Sequence, residues 1–336
     1  MSGLVAEWIV RIDCHVHLLA LTPGHGKLSR YLRNRPNVVL SRLRLGIPLF
    51  GSEERIERAF ENRLVRTIER TPELDAVVGL AFDGVHTQDG QFDDARTHLY
   101  VTNDYGADVA RRHPKVLFGA SIHPYRRDAV AELERCAAAG AVLVKWLPLV
   151  QGMDPASDRC IPFYEALAHH RIPLLSHTGG ELSLPQEFPQ YASPELLIPA
   201  LKRGVTVIAA HCGTRSQPFG RNYLPEFVRM AKEYERFYGD TSALCLPTRS
   251  YAFRTLLYDE AARRKLVHGS DWPVISLPPL RAGLFTALRL LLTQPNWIRR
   301  DVLTKQALGL DDEYFNRAGT ILRLPHTEAA LAPTAP

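Results

Sequence analysis

The chain has 336 residues, 46% of them hydrophobic and 23% charged, which is typical of a globular protein with a large buried core. Its net charge of +5 is modest, and no aromatic residues are interleaved with the basic ones, so we expect no nucleic-acid partner. No apolar run reaches membrane-spanning length, and the first apolar run carries charges that a signal peptide lacks. The five cysteines show no C-x-x-C spacing, which favours reduced thiols. We therefore expect a cytoplasmic protein with no membrane partner.

Short apolar stretches alternate with helical patterns along the chain. The predicted strands are Arg11–Leu18, Ala76–Asp83, Val116–His123, Ala141–Trp146, Pro173–His177, Val205–His211, Tyr238–Ala243 and Leu266–Asp271. Helices are predicted over Ser52–Arg70, Thr102–Arg112, Arg127–Ala139, Asp158–His170, Pro225–Tyr238, Arg249–Lys265 and Pro279–Thr293, with another opening at Ser193 and two short ones near the end. Residues 22–51 form an irregular, basic segment that is too long for an ordinary connection. We interpret it as an insertion or lid.

The alternation predicts the fold class. Continuously apolar strands separated by helices are typical of a parallel sheet that is buried on both faces. Eight of them predict an α/β fold, a (β/α)8 TIM barrel, with the basic insertion after its first strand and extra C-terminal helices. An open, doubly wound sheet is the alternative. We expect one domain over residues 1–324 and a disordered tail over 325–336.

The first strand contains a candidate metal-binding pair. His15 and His17 are one residue apart, and alternate strand side chains share a face, so both imidazoles point the same way. Imidazole is the commonest protein ligand for transition metals. The alternative is a polar strand end with two solvated histidines.

Four further reactive side chains lie at the carboxyl ends of predicted strands. The four are Lys145, His177, His211 and Asp271. Barrel enzymes build their active sites at these ends, so a closed barrel would bring the four together with the histidine pair.

In their order and spacing, four motifs resemble the amidohydrolase superfamily, specifically the amidohydrolase-related (amidohydrolase 2) branch of metal-dependent TIM-barrel hydrolases and decarboxylases. The motifs are His15-Val16-His17, Ser176-His177-Thr178-Gly179, Ala210-His211-Cys212-Gly213 and Gly269-Ser270-Asp271-Trp272-Pro273. The resemblance covers nearly the whole chain. It also implies a homodimer, because relatives are often dimers.

The resemblance implies roles for these residues. His15, His17, His177 and Asp271 would surround a divalent metal, with zinc expected, as one ion or alternatively two. Asp271 would act as general base and then acid, and His211 would orient the water or polarise the substrate. Lys145 has three readings: a carbamylated ligand, a cation for a substrate carboxylate, or a structural salt bridge.

We expect a small, anionic substrate. His123, Trp146, Trp272 and Glu181 are candidates for lining its pocket, and Arg42 and Arg44 of the basic segment could reach its charge. The favoured function is hydrolysis of a lactone, ester or amide-like bond by metal-activated water. Metal-dependent, non-oxidative decarboxylation of an unsaturated or aromatic acid is the alternative. A barrel without catalysis is a third hypothesis.

Overall fold

The computed structural model describes residues 10–324, so the tail predicted over 325–336 lies outside it. Eight parallel strands form one sheet in the order β1-β3-β5-β6-β7-β8-β9-β10, as the alternating pattern predicts. The strands are β1 (Ile12–His17), β2 (Gly26–Leu28), β3 (Ala76–Leu80), β4 (Leu99–Val101), β5 (Val116–Ala120), β6 (Leu143–Trp146), β7 (Leu174–His177), β8 (Val207–Ala210), β9 (Phe237–Asp240) and β10 (Leu266–Val267). β2 and β4 pair separately, in a small antiparallel sheet.

Helices follow the barrel strands and cover the sheet. They are α1 (Arg30–Arg33), α2 (Pro36–Leu45), α3 (Glu53–Glu69), α4 (Asn103–Arg112), α5 (Ala129–Ala138), α6 (Pro148–Gln151), α7 (Ile161–His169), α8 (Ile198–Lys202), α9 (Leu224–Glu233), α10 (Phe253–Tyr258), α11 (Glu260–Arg263), α12 (Leu284–Thr293), α13 (Trp297–Ala307) and α14 (Asp312–Ile321). Within the described residues, no helix is long and apolar enough to cross a membrane.

Backbone hydrogen bonds connect the last strand segment to the first. The amide of Cys14 donates to the carbonyl of His268 (3.0 Å), that of Asp271 to His15 (2.9 Å) and that of His17 to Trp272 (2.8 Å). These bonds close the sheet into a barrel. They also place His15 and His17 of β1 beside Asp271 and Trp272.

The register of β1 against β3 departs from simple alternation. It shifts by one residue between Asp13 and Val16, so β1 holds an extra residue there. Cys14 consequently packs with Ile12 in the apolar cluster inside the barrel, while Val16 belongs to the cluster between sheet and helices. Strand alternation alone would have put Cys14 on the face opposite His15.

Local signals explain α3, which matches its prediction closely. Ser52 caps the helix by accepting a hydrogen bond from the amide of Arg55, and Glu53 and Glu54 occupy the first turn. The apolar side chains that recur every three or four residues are buried against the barrel: Ile56, Phe60, Leu64 and Ile68.

Residues 22–51 are more regular than the sequence suggests. Ser29 caps α1 with its side chain, a proline stands at the first position of α2, and Gly46 ends α2 with a φ of 70°. β2 anchors the segment to β4. These caps and the short strand, rather than a strong apolar period, determine its structure, so the prediction of an irregular segment is wrong.

Candidate metal centre

Side chains from the ends of β1, β8 and β10 converge at one end of the barrel. His15 Nε2 lies 3.3 Å from Asp271 Oδ1, and His17 Nε2 lies 3.0 Å from the same oxygen. One ligand atom each from His15, His211 and Asp271 lie within 4.8 Å of one another, and all three residues are buried. Residues more than 250 positions apart in the chain therefore meet because the barrel closes.

A carboxylate that the sequence analysis missed orients His15. Asp240, the last residue of β9, is fully buried and accepts a 2.7 Å hydrogen bond from His15 Nδ1. This bond assigns the proton to Nδ1 and leaves the lone pair of Nε2 facing the site, where Lys145 Nζ (3.2 Å) and Asp271 Oδ1 (3.3 Å) both lie near it. Metal-binding histidines are commonly oriented by such a carboxylate. The predicted strand ran on to Ala243, whereas β9 ends at Asp240, so the position of this carboxylate at a strand end was not recognised.

Asp240 also positions His211. Its Oδ1 accepts a hydrogen bond from the backbone amide of His211 (2.9 Å), and that residue adopts a φ of 61°. The ring Nδ1 of His211 donates to the carbonyl of Ser242 (2.9 Å), which leaves Nε2 unprotonated and available as a ligand. One aspartate thus holds the imidazole of His15 and the backbone of His211.

A second missed aspartate fixes the backbone behind the site. Asp13 Oδ1 accepts hydrogen bonds from the amides of His15 (3.1 Å) and Ser270 (2.9 Å), and so connects β1 to the residue before Asp271. Asp13 is fully buried, and burial raises its pKa to about 7. Asp271 itself adopts a φ of 67°, an unusual conformation for aspartate.

The protonation states favour a cation. Burial lowers the pKa of His211 to about 3, and burial together with the nearby His211 holds the pKa of His177 well below its usual range. Burial would raise the pKa of Asp271, but interactions with His15 and His17 outweigh it and lower that pKa. At neutral pH the site therefore presents neutral imidazoles beside a carboxylate, the donor set that a divalent transition metal prefers.

Lys145 stands inside this cluster. Its Nζ lies 3.2 Å from His15 Nε2, the side chain is buried, and burial lowers its pKa. The structure thus pairs Lys145 with an imidazole and not with a carboxylate. An ammonium at this position would be repelled by a nearby dication, whereas a neutral amine would not.

His177 lies beside the cluster without joining its three converging ligand atoms. Its ring centroid is 4.7 Å from that of His211, and its Nε2 donates to the carbonyl of Gly180 (3.2 Å). Its Nδ1 is 3.7 Å from Glu181 Oε2. The loop after β7 therefore determines which nitrogen of His177 is free.

Arg249 is a further residue that the sequence analysis missed. It is buried and donates to the carbonyl (2.9 Å) and hydroxyl (2.7 Å) of Thr214 and to the carbonyl of Gly180. These acceptors are neutral. Burial lowers the pKa of Arg249, and the acidic groups that oppose this shift, Glu181 first, act through space. The sequence pattern had placed Arg249 at the start of a long helix over 249–265, which the structure breaks into α10 and α11 at Asp259.

A profile of the amidohydrolase family matches residues 12–308. The chain belongs to the amidohydrolase family. Members of this family are metal-dependent and act on small molecules. The match spans the strands that carry every residue of the cluster described above. No curated protein sequence matches the chain significantly.

Solved structures with the same fold include hydrolases and decarboxylases. An uncharacterized TIM-barrel protein of Bordetella bronchiseptica has a TM-score of 0.58 at 19% identity, covering 92% of this chain and 99% of its own. A probable 2-pyrone-4,6-dicarboxylic acid hydrolase of Acinetobacter baumannii, with citric acid bound, has a TM-score of 0.55 at 14% identity, covering 96% and 98%. A 5-carboxyvanillate decarboxylase of Novosphingobium aromaticivorans, with bound manganese and a nitrobenzoic acid, has a TM-score of 0.53 at 15% identity, covering 92% and 94%. At these identities the likeness establishes the TIM-barrel fold alone.

The two tryptophans expected in the pocket of this amidohydrolase pack elsewhere. Trp146 is fully buried against Phe163 and Tyr164 of α7, and its indole donates to the carbonyl of Ile122 (2.7 Å). Trp272 is buried against Phe60 of α3. Each ring therefore lies in the helix layer, and these placements argue against a substrate contact.

The remaining candidates for lining the pocket are Glu181, His123, Arg42 and Arg44. Glu181 faces His177, as described above. His123 is fully buried with both ring nitrogens bonded, Nδ1 accepting from the amide of Tyr125 and Nε2 donating to the carbonyl of Gln151, so its ring has no free nitrogen for a substrate. On α2, Arg42 donates to the carbonyl of Pro48 within its own segment, and Arg44 is exposed.

Proposed function

We propose that the chain is a metal-dependent hydrolase that cleaves a lactone, ester or amide-like bond in a small, carboxylated molecule. The observation that carries the proposal is the convergence of His15, His211 and Asp271 donor atoms within 4.8 Å inside a barrel. Zinc is the metal we expect, because neutral imidazoles with a carboxylate suit it.

The residues that would hold the metal are His15, His211 and Asp271, with His17 and His177 adjoining them. This set differs from the sequence prediction in giving His211 a place among the ligands. A bound divalent cation there would supply Lewis acidity and lower the pKa of water towards neutrality. The fit rests on the donor chemistry described above: each ring nitrogen opposite the site is already bonded to Asp240 or Ser242.

Asp271 is the proposed proton carrier. Its carboxylate is ionised at neutral pH, and His17 Nε2 holds one oxygen at 3.0 Å. His17 is the partly exposed member of the pair, so this side of Asp271 faces the open end of the barrel. A carboxylate so placed can take a proton from attacking water and return it to the leaving group.

Arg249 supports a carboxylated substrate. A buried guanidinium whose direct partners are neutral oxygens keeps its full charge, and a carboxylate that approached it would form a charge-assisted pair. Glu181 lies on the same side of the site. Its negative charge would repel a substrate carboxylate that bound close to it, and so would restrict where that carboxylate can bind. Protonated Lys145 would be a second cation within the site, and we propose that in this form it, too, can face a substrate anion.

The alternative is non-oxidative decarboxylation of an aromatic or unsaturated acid. The manganese-containing decarboxylase named above has this fold, and an acid substrate would use Arg249 in the same way. In that reaction the Asp271 carboxylate would take a proton from water and pass it to the carbon from which carbon dioxide leaves, and the hydroxide formed would add to the carbon dioxide to give bicarbonate.

The test is a substrate panel with the protein loaded separately with zinc and manganese. Hydrolysis of lactones that bear a carboxylate is followed by base consumption, that of the corresponding amides by the amine released, and decarboxylation of carboxylated phenols by release of carbon dioxide. Hydrolysis that is lost in a His15→Ala/His17→Ala variant, together with its metal, supports the proposal. Carbon dioxide release without any hydrolysis would replace it with the alternative, and a protein that binds no metal would contradict both.

A further inference from the structure

The outer surface of α12 is unusually apolar. Four leucines and one phenylalanine of this helix are exposed, and the leucine four residues before it extends the same surface. We call this set the α12 face: Leu280, Leu284, Phe285, Leu288, Leu291 and Leu292. Phe285 is 80% and Leu292 84% exposed.

The spacing makes these residues one continuous surface. Leu284, Leu288 and Leu292 are four residues apart and therefore stack along one side of the helix, with Phe285 and Leu291 flanking them. The side facing the barrel buries only Ala287 and Leu290. A helix that is apolar on both sides is normally buried on both sides, yet within residues 10–324 nothing covers the outer one.

We propose that the α12 face is the interface through which two copies of this chain associate. This inference is independent of the reaction at the metal centre. The face leaves on the order of 700 Å² of apolar surface in water, more than the largest patch of a typical monomer and close to the roughly 800 Å² that each partner contributes to a stable interface.

The chemistry of the face favours a second copy over another occupant. A two-fold interface must be complementary to itself, and an uncharged leucine stripe meets that condition without matched charges. Two arginines border the face in sequence, Arg281 and Arg289, and both are exposed. The Arg281 guanidinium lies 5.8 Å from the centroid of the Tyr258 ring. A two-fold axis near Leu288, the middle of the stripe, would place Leu284 against Leu292 of the partner subunit.

The first experiment is the molar mass of the full chain by sedimentation equilibrium between about 1 and 100 μM. The wild-type chain is expected to be a dimer, and Leu288→Glu to weaken association by about 30-fold or more, as substitution of a central interface residue does. Leu43→Glu, at a similarly exposed leucine on α2 (57% against 50%), is the matched control and should remain dimeric. A monomeric wild type, or a dimer that Leu288→Glu leaves intact, would overturn the proposal.

A cross-linking variant covers the case in which Leu288→Glu misfolds. All five native cysteines are buried and unpaired, so an introduced surface thiol dominates disulfide formation between chains. Leu288→Cys should form a disulfide-linked dimer under mild oxidation, and Leu43→Cys should not. Equal cross-linking of both would contradict the assignment. So would a monomer that co-sediments with phosphatidylcholine–phosphatidylglycerol vesicles, since the face would then bind a lipid surface.

Discussion

The two sides of the metal centre are held in place by different means. On one side, His15 and Asp271 are fixed by strand-to-strand hydrogen bonds and by the buried carboxylates of Asp240 and Asp13. On the other side, His177 and Arg249 donate to the carbonyl of Gly180, in the loop after β7. The first arrangement is the more rigid, because each of these bonds has a partner in the barrel strand β1. The second depends on a loop, so we expect it to govern substrate choice and the first to govern the metal.

Asp271→Asn should have the largest effect, a loss of about 1,000-fold or more in kcat. The amide cannot accept the proton that the carboxylate carries, whereas its shape leaves the barrel intact. Steady-state kinetics should be measured together with metal content, so that loss of the proton carrier is separated from loss of metal. Near-normal turnover would show that another group is the base.

Asp240→Asn tests the rigid side alone. Removing the charge that orients His15 should weaken metal affinity by about 10- to 100-fold, as removal of such outer partners does elsewhere. Competition with a fluorescent chelator measures the change. Asp104→Asn, at an exposed aspartate paired with Arg135, is the matched control. Equal affinities in wild type and Asp240→Asn would mean that the carboxylate does not orient the imidazole for a metal.

Arg249→Gln tests the loop side. We expect KM for a carboxylated substrate to rise by about 10- to 100-fold with metal content unchanged, because a charge-assisted pair is lost while the metal donors remain. Arg254→Gln, at an exposed arginine of α10, should leave KM unaltered. If Arg249→Gln instead releases the metal, the two sides are not separable in the way we describe.

The smallest effect is expected from Arg42→Gln combined with Arg44→Gln. Arg42 is engaged with Pro48 and Arg44 faces solvent, so kcat/KM should change by less than about twofold. A tenfold fall for anionic substrates, absent for neutral ones, would place the basic segment over the site after all.

The position of strand ends is the part of the site that the sequence could predict. The predicted site residues lie within the second half of a strand or in the few residues after it, and the barrel's topology alone brings these strand ends together: His15, His17, His177, His211 and Asp271. Asp240 was missed because the predicted seventh strand ran on to Ala243, which put this residue in the strand interior and not at its end. The inward position of Cys14 depends on a register shift that alternation cannot reveal.

Contacts between residues far apart in sequence were the second feature that the sequence could not predict. Arg249 donates hydrogen bonds to the carbonyls of Thr214 and Gly180, which are distant from it in sequence. No motif near residue 249 predicts these contacts. Trp146 and Trp272 adjoin site residues in sequence, but successive strand side chains alternate, so their rings pack outward against helices.

X-ray absorption spectroscopy of the zinc-loaded protein tests the central claim most directly. We predict nitrogen and oxygen donors at about 2.0–2.1 Å with the multiple scattering of at least two imidazoles, reduced by one imidazole in His211→Ala. A spectrum with sulfur donors from the interior thiol of Cys14, or one without imidazole, would contradict the assignment of the metal to His15, His211 and Asp271.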